Sequence, residues 1–400
     1  MHSAVLFIIH RPASYRLLHL LLSISSALIW VIALLLLLSG RRFYSRLSSF
    51  RFTTDEWNNM PKLSVLVPAC NEAGTIERAM ESLFAMNYPN FEIVAVNDRS
   101  TDATGEILDR LALRDSRLKA LHISLLPAGW LGKNHALHVA AQEAVGEWLL
   151  FTDADVVYAP DTLRKAVAYA CRRKIDHLVL TPRCETFGFW ERLFVNYFGL
   201  MFSYWTRLWE VTDPKSRAFV GIGAFNLVRA SSYNSFGGHC ALPMDVADDL
   251  KLGKMIKAHG FKTEILDGGD LFSVRWVVGL SGIIESLMKN SFAGFGFNPF
   301  VAVGGALTLL FTTFYPYIAL SLPGGTTRML GFAGLLGMLG GARAMRSLAG
   351  RSSIYGFFYP LAALLLTYII FRSMMQTYKL NGVVWRGTHY PLEELRRGVV

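Results

Sequence analysis

The chain has 400 residues, 52% of them from the apolar set, and a formal net charge of +10. That length holds one domain of ordinary size plus further elements. No aromatic–basic motif of an RNA or DNA module accompanies the charge, which sets nucleic acid aside as a partner. Cys70, Cys171, Cys184 and Cys240 lack the paired spacing of a disulfide framework or a zinc site.

A tail over 1–16 leads into an apolar stretch at 17–39, where Leu20 to Leu38 carries no charge. Such a run is long enough to cross a hydrocarbon core and too long for the core of a signal peptide, and it lacks a small-x-small cleavage site. It reads as a retained anchor. Arg41, Arg42, Arg46 and Arg51 outweigh Arg11 and Arg16 across it, so the positive-inside rule places 40–276 in the cytoplasm.

From Leu63 onward short apolar runs alternate with helix-like stretches, the pattern of an α/β domain with a mostly parallel sheet and crossover helices. Strands are expected at Leu63–Val67, Glu92–Val96, Leu118–Ile123, Trp148–Thr152 and His177–Leu180. Helices are expected at Thr75–Met86, Ala103–Arg114, Asn134–Ala144 and Asp161–Arg172. No G-x-G-x-x-G follows the first strand, and Gly221-x-Gly223 stands far downstream without a third glycine. A Walker-type loop is missing as well, so neither familiar nucleotide motif applies.

The loops after the strands hold the polar residues. Strand one ends in Pro68-Ala69-Cys70-Asn71-Glu72, and strand two in Asn97-Asp98-Arg99-Ser100-Thr101-Asp102. Strand three leads to Gly129-Trp130-Leu131-Gly132-Lys133, and strand four delivers Asp153 and Asp155. Two hard oxygen ligands one residue apart suit Mg2+ or Mn2+ carrying a diphosphate. Each feature has a dull reading: Asn71 as a turn residue, Asp98 as a helix cap, Lys133 as a solvated side chain, Asp-x-Asp as a turn. Four polar ends on consecutive strands of one sheet argue for a ligand site, because α/β sheets bind at those ends.

With these motifs in view, Leu63 to about Trp276 resembles a family 2 glycosyltransferase of GT-A fold. The Gly-Trp-Leu-Gly-Lys segment is similar to the membrane-bound branch of ceramide glucosyltransferases and bacterial hopanoid- and carotenoid-associated transferases. The resemblance implies that Pro68, Ala69, Asn71, Glu72 and Asp98 border the nucleotide, with Lys133 near its diphosphate. Asp153 would contact donor and metal, and Asp155 the metal. Asp248-Asp249-Leu250 matches the family's third acidic motif, which makes Asp249 the general base. The plain reading is that Asp245, Asp248 and Asp249 are N-terminal acids of a helix at Leu250–His259, stabilised by its dipole; both can hold at once, with the dipole holding the Asp249 pKa down. Asp248, Arg275 and Trp276 are candidates for the acceptor side, although the Gln of the processive Gln-x-x-Arg-Trp motif is absent. Asn97 replaces a common Asp.

The aromatic stretch Phe187 to Trp209 suits either a core or a membrane-interface segment. An interfacial helix is expected at 277–297, and apolar spans at 298–322, 329–348 and 352–374, before a tail at 375–400. Four spans in total put the tail outside and three put it inside. Trp385-Arg386-Gly387 and Tyr390 receive no role. The reading is a multi-pass cell-membrane enzyme that moves a sugar, with inversion, from a nucleotide-sugar donor (a UDP-sugar foremost) to a lipid hydroxyl. Its rivals are a polyprenyl-phosphate glycosyltransferase, a processive polysaccharide synthase and a degenerate membrane scaffold.

Overall fold

The structure is a computed structural model that describes residues 13–40, 45–346 and 353–397. Arg11, Arg41 and Arg42, used above as flanks, and residues 347, 348 and 352 of the expected spans lie outside the described residues. Helix α1 (Ala13–Ser39) opens the chain. The catalytic-type domain follows with β1 (Leu63–Ala69), α2 (Ile76–Phe84), β2 (Phe91–Asp98), α3 (Thr104–Arg114) and β3 (Leu118–Ile123). Next come α4 (Gly132–Gln142), β4 (Trp148–Phe151), β5 (Val157–Tyr158), α5 (Thr162–Arg173), β6 (His177–Thr181) and β7 (Arg183–Cys184). Aromatic helix α6 (Gly188–Thr206), β8 (Asn226–Arg229), α7 (Asp248–Ala258), β9 (Thr263–Asp267) and β10 (Phe272–Val274) complete it.

The main sheet has seven strands in the order β3-β2-β1-β4-β8-β6-β9. Its core forms because α2 places Ile76, Ala79, Met80 and Leu83 on one buried stripe, the spacing of a helix lying on a sheet. Strand β1 pairs in parallel with β2 on one side and β4 on the other, so their carboxyl ends flank one crevice. The sheet is mostly parallel, as expected, with one reversed strand. β8 runs antiparallel to both β4 and β6, because the chain leaves the far end of β6, passes through α6 and returns. The expected element bounds otherwise stand within a few residues, and β3 falls on Leu118–Ile123 as read.

Beyond the domain lie α8 (Gly279–Ala293), α9 (Pro299–Ser321), α10 (Gly325–Ala344) and α11 (Tyr359–Lys379), then a hairpin of β11 (Gly382–Trp385) and β12 (Thr388–Pro391). Among the described residues, three helical stretches, Ala13–Ser39, Pro299–Ser321 and Ser353–Lys379, are long and apolar enough to cross a membrane. Helix α10 packs on α1 through glycine: a Cβ at Gly337 would stand 2.6 Å from the Trp30 Cβ. The Trp30 indole N–H donates to the Thr312 carbonyl at 2.8 Å, which ties α1 to α9 as well. In α6, Phe194 and Tyr197 are fully buried, and Asn196 joins the Ala342 carbonyl to the Tyr359 hydroxyl. Phe187 and Trp205 stay 62% and 58% exposed, so the aromatic stretch serves as core on one face and surface on the other.

Candidate active site

The crevice is built first from backbone. Asn71 and Arg99 both adopt left-handed conformations, with φ of 55° each, directly after β1 and β2. A non-glycine residue there costs free energy, and such strain gathers at functional sites. The two loops are stitched together. Asn71 N–H donates to Ser100 Oγ, Thr101 N–H to Asn71 Oδ1, Glu72 N–H to Thr104 Oγ1 and Ala73 N–H to Asp102 Oδ2. Asn71 is therefore a brace between loops. Pro68 and Ala69 pair with Val96 and Asn97 inside the sheet, where they set the floor.

Asp98 is nearly buried and receives a two-pronged bond from its neighbour, Arg99 Nε to Oδ1 at 2.7 Å and Nη2 to Oδ2 at 3.0 Å. Gly132 stands so close that any side chain there would strike the Asp98 carboxylate. On the next turn Lys133 Nζ lies 2.8 Å from Asp153 Oδ1 and 3.3 Å from Asp248 Oδ2. Burial disfavours the Lys133 charge, yet Asp153, Asp248 and Asp249 outweigh it and hold the ammonium well above the ordinary lysine range. Asp155 is pushed up to about 7 by burial, then by the charges of Asp153 and Glu72.

Asp249 begins α7, and both its oxygens accept backbone N–H bonds, from Gly223 and Leu250 at 2.7 Å each. The helix start does not hold its pKa down as expected. Burial and the adjacent Asp248 push it up to about 6. The Gly221–Gly223 loop makes this arrangement fit, since a Cβ on Gly223 would stand 2.5 Å from Asp153 Oδ2 and one on Gly221 would enter the Asp249 backbone. These glycines are thus close-approach residues. Asn226 adds a link, its amide donating to the Asp249 carbonyl while its Oδ1 accepts from the buried His177.

The C-terminal hairpin closes one side. Arg386, with φ of 48°, donates to the carbonyls of Cys70 and Asn71 and pairs with Glu72 at 2.5 Å. Arg99 reaches Thr388, and the Gly132 N–H donates to the Tyr390 hydroxyl. Leu131, Lys133, Asp248, Lys289, Trp385 and Tyr390 line a common cleft. Neither Trp385, Arg386, Tyr390 nor Lys289 was assigned from sequence, although the Trp-Arg-Gly…Tyr pattern was the signal. Arg275 and Trp276 are not brought to the acids. Arg275 pairs with Glu191 and covers the Phe187 ring, and Trp276 packs on Phe198.

Comparison with known proteins bears on the family and the fold. The profile described as Glycosyl transferase family 2 matches residues 64–233. The chain is 33% identical over 141 residues to a probable glycosyltransferase, YdaM, of Bacillus subtilis, covering 33% of each protein. It is 24% identical over 264 residues to the 4,4'-diaponeurosporenoate glycosyltransferase of Staphylococcus haemolyticus, covering 64% of this chain and 68% of that one. With the beta-monoglucosyldiacylglycerol synthase of a Nostoc species it shares 35% identity over 119 residues, 29% of this chain and 25% of the other. The chain thus spans about a third of YdaM and a quarter of the Nostoc synthase. In fold, it superposes on the mannosyltransferase PcManGT from Pyrobaculum calidifontis, solved with GDP-Man and Mn2+, at a TM-score of 0.56 and 19% identity, covering 88% of this chain and 99% of that one. Residues 64–233 therefore form a glycosyl transferase family 2 domain on a GT-A-like α/β scaffold with a mostly parallel sheet.

Proposed function

We propose that this chain is a membrane-anchored glycosyltransferase that passes a sugar from a nucleotide-sugar, foremost a UDP-sugar, to a hydroxyl of a membrane lipid. The observation that carries the reading is the convergence of Lys133, Asp153, Asp248 and Asp249 in one cleft at the carboxyl ends of the strands. That cleft adjoins a second one walled by α8 and the hairpin after α11. The lipid acceptor draws support from two relatives whose names carry a lipid, a diaponeurosporenoate and a glucosyldiacylglycerol.

A divalent ion fits the acid pair. Asp155 is half-buried and feels the charges of Asp153 and Glu72, and this crowding of carboxylates is what Mg2+ or Mn2+ would relieve. Among the described residues no group of three or more His, Cys, Asp or Glu encloses a metal. An ion at Asp153 and Asp155 would be held by one or two carboxylates and completed by phosphate oxygens. When bound, the ion would neutralise charge on the leaving diphosphate. The chain's own residues do the rest. Lys133 places a fixed cation beside Asp153, where a departing phosphate gains charge. Asp249, with a pKa near 6, is ionised at neutral pH and still basic enough to take the proton of an attacking hydroxyl. Direct displacement with that base inverts the anomeric carbon.

The hairpin also bears on topology. Because it hydrogen-bonds to the domain, tail and domain share one side of any membrane the helices span. Full crossings by α9, α10 and α11 together would leave the tail on the far face, so we favour α1, α9 and α11 as the spans. The basic flank Arg46 and Arg51 makes the domain side the cytoplasm. Incubation of purified full-length protein with Mn2+, a native lipid extract and labelled UDP- or GDP-sugars tests the function. Label should enter the organic phase. Absence of any metal-dependent UDP or GDP binding would favour the degenerate-scaffold reading.

A further inference from the structure

Lys133 and Lys289 come to the same cleft from opposite walls, one at the start of α4 and the other on α8. Their surroundings differ in one respect. Lys133 has Asp153 and Asp248 as carboxylate partners, whereas Lys289, among the described residues, has no carboxylate at ion-pair distance. Its ammonium instead stands 3.8 Å from the centre of the Trp385 ring. An indole face attracts a cation and fixes its position, but it does not neutralise the charge. Burial of an ammonium is unfavourable unless an anion accompanies it. The start of α4 adds a further positive end to this cleft, since Leu131 and Lys133 line it and the first turn of a helix favours anions.

We propose that Lys289 is a phosphate-holding residue of the substrate site, gripping with Lys133 the oxygens of a phosphate seated between α4, α8 and the C-terminal hairpin. A tetrahedral phosphate presents oxygens in several directions and can meet two ammonium groups at once. Burial first, and Lys133 second, lower the Lys289 pKa to about 8, against the opposing pull of the more distant Asp248, Asp153 and Asp249. The inference rests on the nucleotide-sugar reading for its first source of phosphate, the donor diphosphate. The second source is the phosphate of a lipid acceptor.

The test uses full-length protein in detergent, as wild type, Lys289→Met and Lys289→Arg, with calorimetric binding of UDP plus Mn2+, pyrophosphate plus Mn2+, and dodecyl phosphate. Lys289→Met should weaken at least one phosphate probe tenfold or more, and Lys289→Arg should retain most of that affinity. Loss confined to UDP and pyrophosphate identifies the donor diphosphate, and loss confined to dodecyl phosphate identifies a lipid phosphate. Wild-type affinity of Lys289→Met for all three probes overturns the proposal. If wild type binds neither UDP nor GDP but binds pyrophosphate through Lys289, the phosphate site stands and the nucleotide-sugar reading falls. Should Lys289→Met fail to fold, acetylation of wild-type Lys289 read by mass spectrometry replaces it. Saturating probe should block the modification, and unchanged acetylation with all three probes would reject the assignment.

Discussion

Asp249, the base of the proposed reaction, is also a structural anchor. Its two N–H bonds fix its direction, while burial and Asp248 lift its pKa to about 6. Asp249→Asn should leave UDP affinity nearly unchanged and lower turnover by about 10²–10⁴, the usual cost of losing a positioned base. The base must be ionised, so kcat/KM should fall as pH drops through about 6. Asp248→Asn removes the charge that helps raise Asp249, so that inflexion should shift to lower pH; an unmoved inflexion would disconnect the acid limb from Asp249. His177 supplies a separate test of stability. It is buried, bonded to Asn226, and its pKa falls from 6.5 to about 4 through burial. Between those values the unfolded chain binds a proton that the folded chain refuses. Stability is therefore full above pH 6.5 and declines toward pH 4, by on the order of 3 kcal/mol for this group. Melting curves of His177→Gln should be flatter across that window than those of wild type. Lys133, Asp153 and Asp249, which line one cleft, could be picked out of the sequence because each lies within two residues of a strand end or a helix start. Arg99 was hidden in plain view, since its grip on Asp98 needs a left-handed backbone that no local pattern announces.

Among the elements, the sheet was readable because burial on both faces demands apolar runs, and β3 is correct at both ends. The reversed β8 was not, since Asn226–Arg229 is only four residues long and its direction is set by the return from α6. Helix α10 covers most of the expected span at 329–348, and its glycines explain the form it takes. Gly331 and Gly334 face Pro316 of α9, Gly337 faces Trp30 of α1 and Gly341 faces Leu200 of α6, so three helices approach one backbone. Small residues allow that approach where no water drives association. Gly337→Val should force α1 and α10 apart and destabilise by about 1–3 kcal/mol, as overpacking does. Gly304→Val in α9, where a Cβ meets nothing within 4 Å, is the matched control. Size-exclusion melting of the detergent-solubilised variants decides it, and equal melting temperatures for both would remove the glycine contact from the account of the bundle.

At the scale of the whole molecule the last strands complete the site that the first strands begin. Arg386 binds the loop after β1 and Tyr390 the start of α4, more than 250 residues earlier in the chain. No periodicity encodes such contacts. They arise only once α11 has delivered its end beside the domain, which is why the Trp-Arg-Gly…Tyr pattern was visible but carried no role. The same contacts make a topological demand, because a hairpin docked on the domain cannot lie across a membrane from it. In a cysteine-free background, single cysteines at the exposed Ser116 and Glu394 report the two segments separately. An impermeant maleimide should label neither in intact cells and both after permeabilisation. Arg386→Ala then asks whether docking matters for chemistry. Loss of its bonds to Cys70, Asn71 and Glu72 should raise the donor KM severalfold while both cysteines keep their sidedness. Labelling of Glu394→Cys but not Ser116→Cys in intact cells would put the tail outside. The hairpin could then not close the cleft, and the three-span arrangement would fall with it.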